Sequence, residues 1–150
     1  MTTPFRHTAR AIIAAIIALQ ATACLPDERQ ESKNMEQAAE NFADAYFNHD
    51  YAKAVELATP ESERFLRFRA SNISEADVNM LNQRGQDATV SIKSCEQTSD
   101  SSATAIIAVE DYLSFDSIEG GGRNIPSAEY RLQLVKRGKR WLAKDIEENK

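Results

Sequence analysis

The sequence predicts an α+β domain in which N-terminal helices pack on an antiparallel β-sheet. Three observations carry this. Apolar residues recur at three and four residue spacings between Met35 and Ala58, as one face of a helix requires. From Ala88 the pattern becomes alternation by two, which is the period of a strand. Turn chemistry then divides the second half into short segments that follow one another without long crossovers, and helices followed by strands describe an α+β layer architecture.

The 150 residues suit one domain, and the composition, 42% hydrophobic and 27% charged, is that of a globular chain. Met1–Ala23 stands apart. It carries Arg6 and Arg10, no acid, and the nine-residue apolar run Ala11–Leu19. That run is well short of the ~20 residues that span a bilayer core, and it precedes the small residues Ala21, Thr22 and Ala23. A basic start, a short apolar core and a small-residue cut site describe a secretory signal peptide over residues 1–23. Its removal takes the net charge from −5 to −7, because two arginines leave with it. So acidic a domain offers no electrostatic footprint for nucleic acid.

Ala21-Thr22-Ala23-Cys24 resembles the lipobox of bacterial lipoproteins, with Ala21 where leucine is commonest. The resemblance implies cleavage before Cys24 and lipidation of that cysteine, several acyl chains giving stable anchoring where one holds only marginally. The other reading is an ordinary signal peptide with Cys24 a free thiol. Leu25 resembles outer-membrane sorting in Gram-negative bacteria, and Asp27 and Glu28 resemble acids that send some lipoproteins to the cell exterior. The expected place is therefore the cell envelope, on the outer membrane, with the leaflet open. Residues 24–33 are polar, contain Pro26, lack apolar periodicity, and are expected to form a flexible tether before a domain spanning 34–150. Cys95 is then the odd cysteine, expected as a small buried side chain rather than a reactive thiol or an intermolecular disulfide.

Asn34 with Gln37 has the spacing of a capping box, and Met35, Ala38, Ala39, Phe42, Ala45 and Tyr46 line one face of the helix that follows. Asn48 and His49 end it. Asp50 caps a second helix, Tyr51–Ala58. Thr59-Pro60-Glu61 sets a cap, a proline at the first position and an acid in the first turn, opening a third helix with Phe65, Leu66 and Phe68 that runs to about Ala70. Ser74 with Asp77 starts a further short turn through Met80–Leu81. His49 and Asp50 are the one adjacent histidine and carboxylate. Neighbours on a helix point about 100° apart, so they do not face each other as a dyad, and Asp50 is explained as a cap.

Ala88–Cys95 alternates, Gln97–Ser102 is a turn, and Ala103–Leu113 is apolar on both faces, as a central strand covered on both sides would be. Ser114–Ser127 holds Gly120, Gly121, Gly122 and Pro126 and reads as a loop or wide hairpin. Ala128–Lys136 points Tyr130, Leu132 and Leu134 inward. Arg137-Gly138-Lys139 is a tight hairpin, and Arg140–Ile146 returns with Trp141 and Ala143 on one face and Leu142 and Ile146 on the other. Glu147–Lys150 is a polar tail.

The stretches FNHDYAKAVEL (Phe47–Leu57) and YRLQLVKRGKRWLAKDI (Tyr130–Ile146), in this order of helices and strands, resemble the nuclear transport factor 2-like (SnoaL-like, cystatin-like) superfamily. More narrowly, the chain is similar to small uncharacterised bacterial lipoproteins carrying that fold after a lipobox. The resemblance implies a sheet curved into a cone around the first helix, with a pocket between them. It implies no single activity, because this fold hosts many. Candidate pocket residues are Tyr46, Glu110, Tyr112 and Tyr130, and Tyr46 and Tyr130 are equally readable as core residues with one hydroxyl satisfied. Glu110 and Asp111 are adjacent, so one faces inward if the strand is regular, unless both lie at its solvated end. No metal cluster, nucleophile elbow, phosphate loop or dinucleotide fingerprint is present, and no cofactor is expected.

Two functions of different class follow. In the first, the domain is a non-catalytic module binding a small molecule or an envelope protein, or pairing as a homodimer through an apolar outer sheet face. In the second, it is an isomerase or dehydratase with a carboxylate in an apolar pocket, for which Glu110 and His49 are the residues available. The scarcity of catalytic polar groups favours the first.

Overall fold

The computed structural model describes residues 28–115 and 122–150. The expected signal peptide 1–23, Cys24 and the expected tether as far as residue 27, and Gly120 and Gly121, lie outside the described residues. Among the described residues four helices precede four strands: α1 (Glu28–Phe47), α2 (Tyr51–Glu56), α3 (Pro60–Ser71), α4 (Glu75–Gln83), β1 (Thr89–Ser99), β2 (Ser102–Ser114), β3 (Arg123–Arg137) and β4 (Arg140–Glu148). The sheet is an antiparallel meander in the order β1-β2-β3-β4, and the helices pack on one face of it.

The apolar stripe of α1 forms as its spacing predicts, burying Met35, Ala39, Phe42, Ala43 and Tyr46. Its start is different. The helix begins at Glu28, so residues 28–33 of the expected tether are helical and Asn34 sits inside the helix. Glu28 and Glu31 place negative charge at the positive end of the helix dipole, and Gln30 donates to Asn34 four residues on (3.0 Å). The larger cause is tertiary. Glu31 Oε1 accepts from the Trp141 indole N–H (2.7 Å) and pairs with Lys136 Nζ (2.6 Å), which pins the first turns to β3 and β4. A polar stretch without apolar periodicity gives no sign of this.

The end of α1 is a Schellman closure: the Asp50 N–H donates to the Ala45 carbonyl (2.9 Å) and the His49 N–H to that of Tyr46 (3.2 Å). His49 takes the left-handed position usually held by glycine, with φ 62°. Asp50 then caps α2 through the Lys53 N–H (3.1 Å), as expected. α2 stops at Glu56, short of the expected Ala58, because the next residues pair with a strand: Thr59 N–H donates to the Ala143 carbonyl (2.7 Å), and Ala143 N–H to that of Leu57 (2.9 Å). In α3 only Leu66 is buried; Phe65 and Phe68 are 47% and 63% exposed. Ser74 and Asp77 form the full capping box of α4.

In the sheet, β1 runs beyond Cys95 to Ser99, leaving Asp100–Ser101 as the turn, and β3 begins at Arg123, inside the expected loop. The core side of β2 carries Ala103, Ala105, Ile107 and Val109, all buried. Among the described residues no layer covers its other face; Ala108 there is shielded by its cross-strand neighbours Ser91 and Glu129. The register between neighbouring strands shifts at Lys93 and Thr98 on β1 and at Lys144 on β4. Between β2 and β3 the register is unbroken, but Asp111, at φ 52°, and Pro126 opposite it are left unpaired between Glu110↔Ser127 and Tyr112↔Ile125. Lys144 is skipped between Ala143 and Asp145, which returns Ile146 to the core face, opposite Leu132, rather than to the outer face expected for it. β4 continues through Glu148, and Asn149 N–H donates to the Glu129 carbonyl (2.9 Å), so most of the expected tail belongs to the sheet. Cys95 is half-buried on β1, and burial, with Glu36 adding to it, raises its thiol from 9.0 to about 11.

Candidate functional site

Where the last turn of α1 meets β2 and β3, several aromatic hydroxyls, an imidazole and a guanidinium come together. A cavity of about 40 Å³ there is lined by Tyr46 and Phe47 from α1, His49 from the turn, Tyr51 from α2, Arg69 from α3, Tyr112, Leu113 and Ser114 from β2, and Tyr130 from β3. Phe47 is the wall between the tyrosines, with ring centroids 5.1 Å from Tyr112 and 4.6 Å from Tyr130. The Tyr112 and Tyr130 hydroxyls share a hydrogen bond of 2.6 Å. Burial, reinforced by that bond, pushes the Tyr130 phenol well above its ordinary value. The Arg69 guanidinium lies 5.8 Å from the Tyr46 ring centroid.

His49 owes its place to its backbone. The left-handed conformation, costly for a residue with a Cβ, turns the ring toward β2, where Nε2 lies 3.0 Å from the Leu113 carbonyl and Nδ1 3.3 Å from the Tyr51 hydroxyl. The carbonyl can only accept, so Nε2 carries a proton. Asp111, the other non-glycine residue at positive φ, immediately precedes the β2 residues of the same cavity. Both strained positions therefore border it, a clustering typical of functional sites.

Of the residues the sequence singles out, Tyr46, Tyr112, Tyr130 and His49 are brought together. Glu110 is not. It is exposed and outside the lining, because it shares the outward side of β2 with Ile106 and Ala108; the positive-φ backbone at Asp111, just after it, is what turns Tyr112 inward. Asp111 itself is half-buried and accepts from Gln86 Nε2 (3.2 Å). Arg69 and Ser114 were not legible as site residues; Arg69 follows Phe68 in a run that looks like an ordinary helix face. Tyr51 was legible only as core. No group of three or more His, Cys, Asp or Glu among the described residues could hold a metal ion. The exposed large apolar residues among them, Phe65, Phe68 and Val78, lie on α3 and α4 and not on the sheet face where a dimer patch was expected.

The long α1 across one face of a four-stranded antiparallel meander, with the cavity at its C-terminal end, matches solved structures over most of their length. A ketosteroid isomerase-like protein from Erwinia carotovora atroseptica aligns with a TM-score of 0.55 at 16% identity, covering 81% of this chain and 98% of that one. An NTF-2 like protein of unknown function from Shewanella oneidensis aligns with a TM-score of 0.55 at 13% identity, covering 80% and 99%. The fold is the nuclear transport factor 2-like cone. A SEC-C motif containing protein from Rhodopseudomonas palustris also aligns, with a TM-score of 0.52 at 17% identity over 82% of this chain and 85% of that one. No protein-family model and no curated protein matches the sequence. At these identities the likeness concerns the nuclear transport factor 2-like backbone, and the chemistry of the cavity has to be argued from its own side chains.

Proposed function

We propose that this protein is a lipoprotein of the cell envelope, anchored through acyl chains on Cys24, whose nuclear transport factor 2-like domain binds a partner or small ligand without transforming it. The observation that carries the non-catalytic reading is the composition of the cavity lining. Among the described residues it offers hydroxyls from Tyr46, Tyr51, Tyr112, Tyr130 and Ser114, the His49 ring and the Arg69 guanidinium, and no aspartate or glutamate. Proton abstraction of the isomerase or dehydratase type needs a base in apolar surroundings; Glu110 lies at the surface, and the His49 ring is already engaged by the Leu113 carbonyl and the Tyr51 hydroxyl. That alternative therefore loses the carboxylate it relied on and keeps only His49 among the residues named for it.

The groups present are suited to a ligand with acceptor oxygens, such as a small carboxylate or phosphate, held by donors rather than attacked. A volume of about 40 Å³ accommodates one or two water-sized groups, so a larger ligand enters only with movement of the lining. The anchoring is supported by the short apolar leader and by Ala21-Thr22-Ala23 ahead of Cys24. Native mass spectrometry of the processed protein, released in mild detergent and challenged with small carboxylates and phosphates, tests the reading. A retained acid that raises the melting temperature in the wild type, and less in Tyr112→Phe with Tyr130→Phe, is the expected result. Chemical conversion of a retained acid would overturn it.

A further inference from the structure

Phe68 is the least explained side chain of the described domain. It lies two residues beyond Leu66, the residue that α3 buries, and at about 100° per residue it projects some 160° away from the core. It is 63% exposed, and Phe65 beside it is 47% exposed. The segment Arg64–Ser71, RFLRFRAS, contains three arginines and no acid, in a domain that is otherwise strongly acidic. Arg64 sits one turn before Phe68 on its own side of the helix, and Arg67 flanks it. Arg67 pairs with Glu63 (2.7 Å), but the pair is exposed and contributes little. An outward aromatic flanked by arginines is the composition of a helix lying in a membrane interface, with the ring at the acyl boundary and the guanidinium groups on lipid phosphates.

A second, independent observation says which surface is within reach. Because α1 begins at Glu28, only four Cα steps separate it from Cys24, a leash of at most about 14 Å. A folded domain on so short a leash rests against the surface that holds the acyl chains. α1 has 20 residues, about 30 Å in length, and Phe42, about 21 Å along it from Glu28, lines the same apolar groove as Phe65 and Leu66. With α1 lying along the bilayer, the anchor and α3 reach the same surface.

We propose that the outward face of α3, Arg64, Phe65 and Phe68, docks on the anionic phospholipid bilayer to which the acylated Cys24 tethers the domain. This rests on the anchoring reading above. Docking fixes the orientation of the domain, so that the anchor restrains position and α3 restrains rotation.

The test uses the processed, acylated chain carrying Cys95→Ser and Ser71→Cys, an environment-sensitive fluorophore on residue 71, and vesicles of phosphatidylethanolamine with phosphatidylglycerol. The expected result is a blue shift on reconstitution and quenching by brominated acyl chains, while a label at Glu96→Cys on β1 stays in water. Arg64→Glu with Phe68→Ser lowers the docked population about tenfold or more while flotation with the vesicles is unchanged. Intact mass and flotation report the anchor separately. A chain that floats with the residue 71 label still in water overturns docking and leaves the anchor standing. A blue shift without vesicles shows self-association through this face and also overturns it. A chain with no acyl mass that fails to float overturns both readings.

Discussion

Glu31 is the residue whose removal best tests how this domain is held together, because it fastens the start of the central helix to the far end of the sheet. Its Oε1 accepts from the Trp141 indole N–H at 2.7 Å and faces Lys136 Nζ at 2.6 Å, with the Glu31 and Lys136 side chains 16% and 25% exposed. Glu31→Ala leaves a buried indole donor without that acceptor and a partly buried ammonium without that carboxylate. Hydrogen bonds to charged groups contribute about 1.5–3 kcal/mol each, and two that share one oxygen are not additive, so the loss is about 2 kcal/mol. At about 4 °C per kcal/mol for a domain of this size, the melting temperature falls by roughly 8 °C. Trp141 is the single tryptophan, so its fluorescence during urea or thermal unfolding reports on this corner directly. Glu28→Ala, one turn earlier and exposed, is the control and changes stability by no more than about 0.5 kcal/mol. The charge adds a pH signature. Lys136 and Trp141 hold the Glu31 carboxyl below its ordinary 4.5, so its contribution is fully present above that value and is lost as the pH falls through the lower folded value. The gap between wild type and Glu31→Gln is therefore widest at neutral pH and closes in acid. Equal stabilities for the Glu31 and Glu28 variants, or a gap that persists unchanged in acid, would refute the reasoning.

Other consequences follow from the same structure. A chain beginning at Ser32 removes Glu31 with the first turn of α1 and melts below one beginning at Glu28, by at least the Glu31→Ala difference, in parallel thermal scans. With its thiol raised from 9.0 to about 11, Cys95 reacts at pH 8 about a hundredfold more slowly in the folded protein than in urea, measured with a thiol reagent. Tyr130 stays protonated in an ultraviolet titration through the pH range where tyrosines of ordinary value 10.0 ionise. Because its folded value is raised, the stability it contributes is complete below that ordinary value and is lost as the pH rises toward the folded one. His49→Gly is nearly neutral in denaturant melts, since relief of the left-handed backbone, about 1 kcal/mol, offsets lost ring hydrogen bonds of similar size. His49→Val, β-branched at the same φ, loses the bonds and keeps the strain, and costs at least about 2 kcal/mol.

What the sequence by itself determined are the features written over a few residues. The stripe from Met35 to Tyr46, the Asp50 and Ser74 caps, Pro60 at the head of α3 and the inward set Tyr130, Leu132 and Leu134 all formed as their spacing predicts, because cap chemistry and periodicity act within one or two turns. The inward aromatic residues of the cavity were legible for the same reason. What only the tertiary structure decided are the places where a distant partner outweighs local pattern. The α1 start at Glu28 depends on Trp141, 110 residues away in sequence. The early end of α2 depends on Ala143, and the entry of Arg69 into the cavity depends on how α3 packs beside α1 and α2. Two local breaks in strand geometry made the sharpest difference. The positive-φ backbone at Asp111 put Tyr112 in the cavity, Glu110 staying in water by the alternation that precedes it, and the skipped Lys144 reversed the faces of the β4 residues after it and returned Ile146 to the core. Nothing in the alternation of one strand reveals a bulge, because it is the register with the neighbouring strand that sets it.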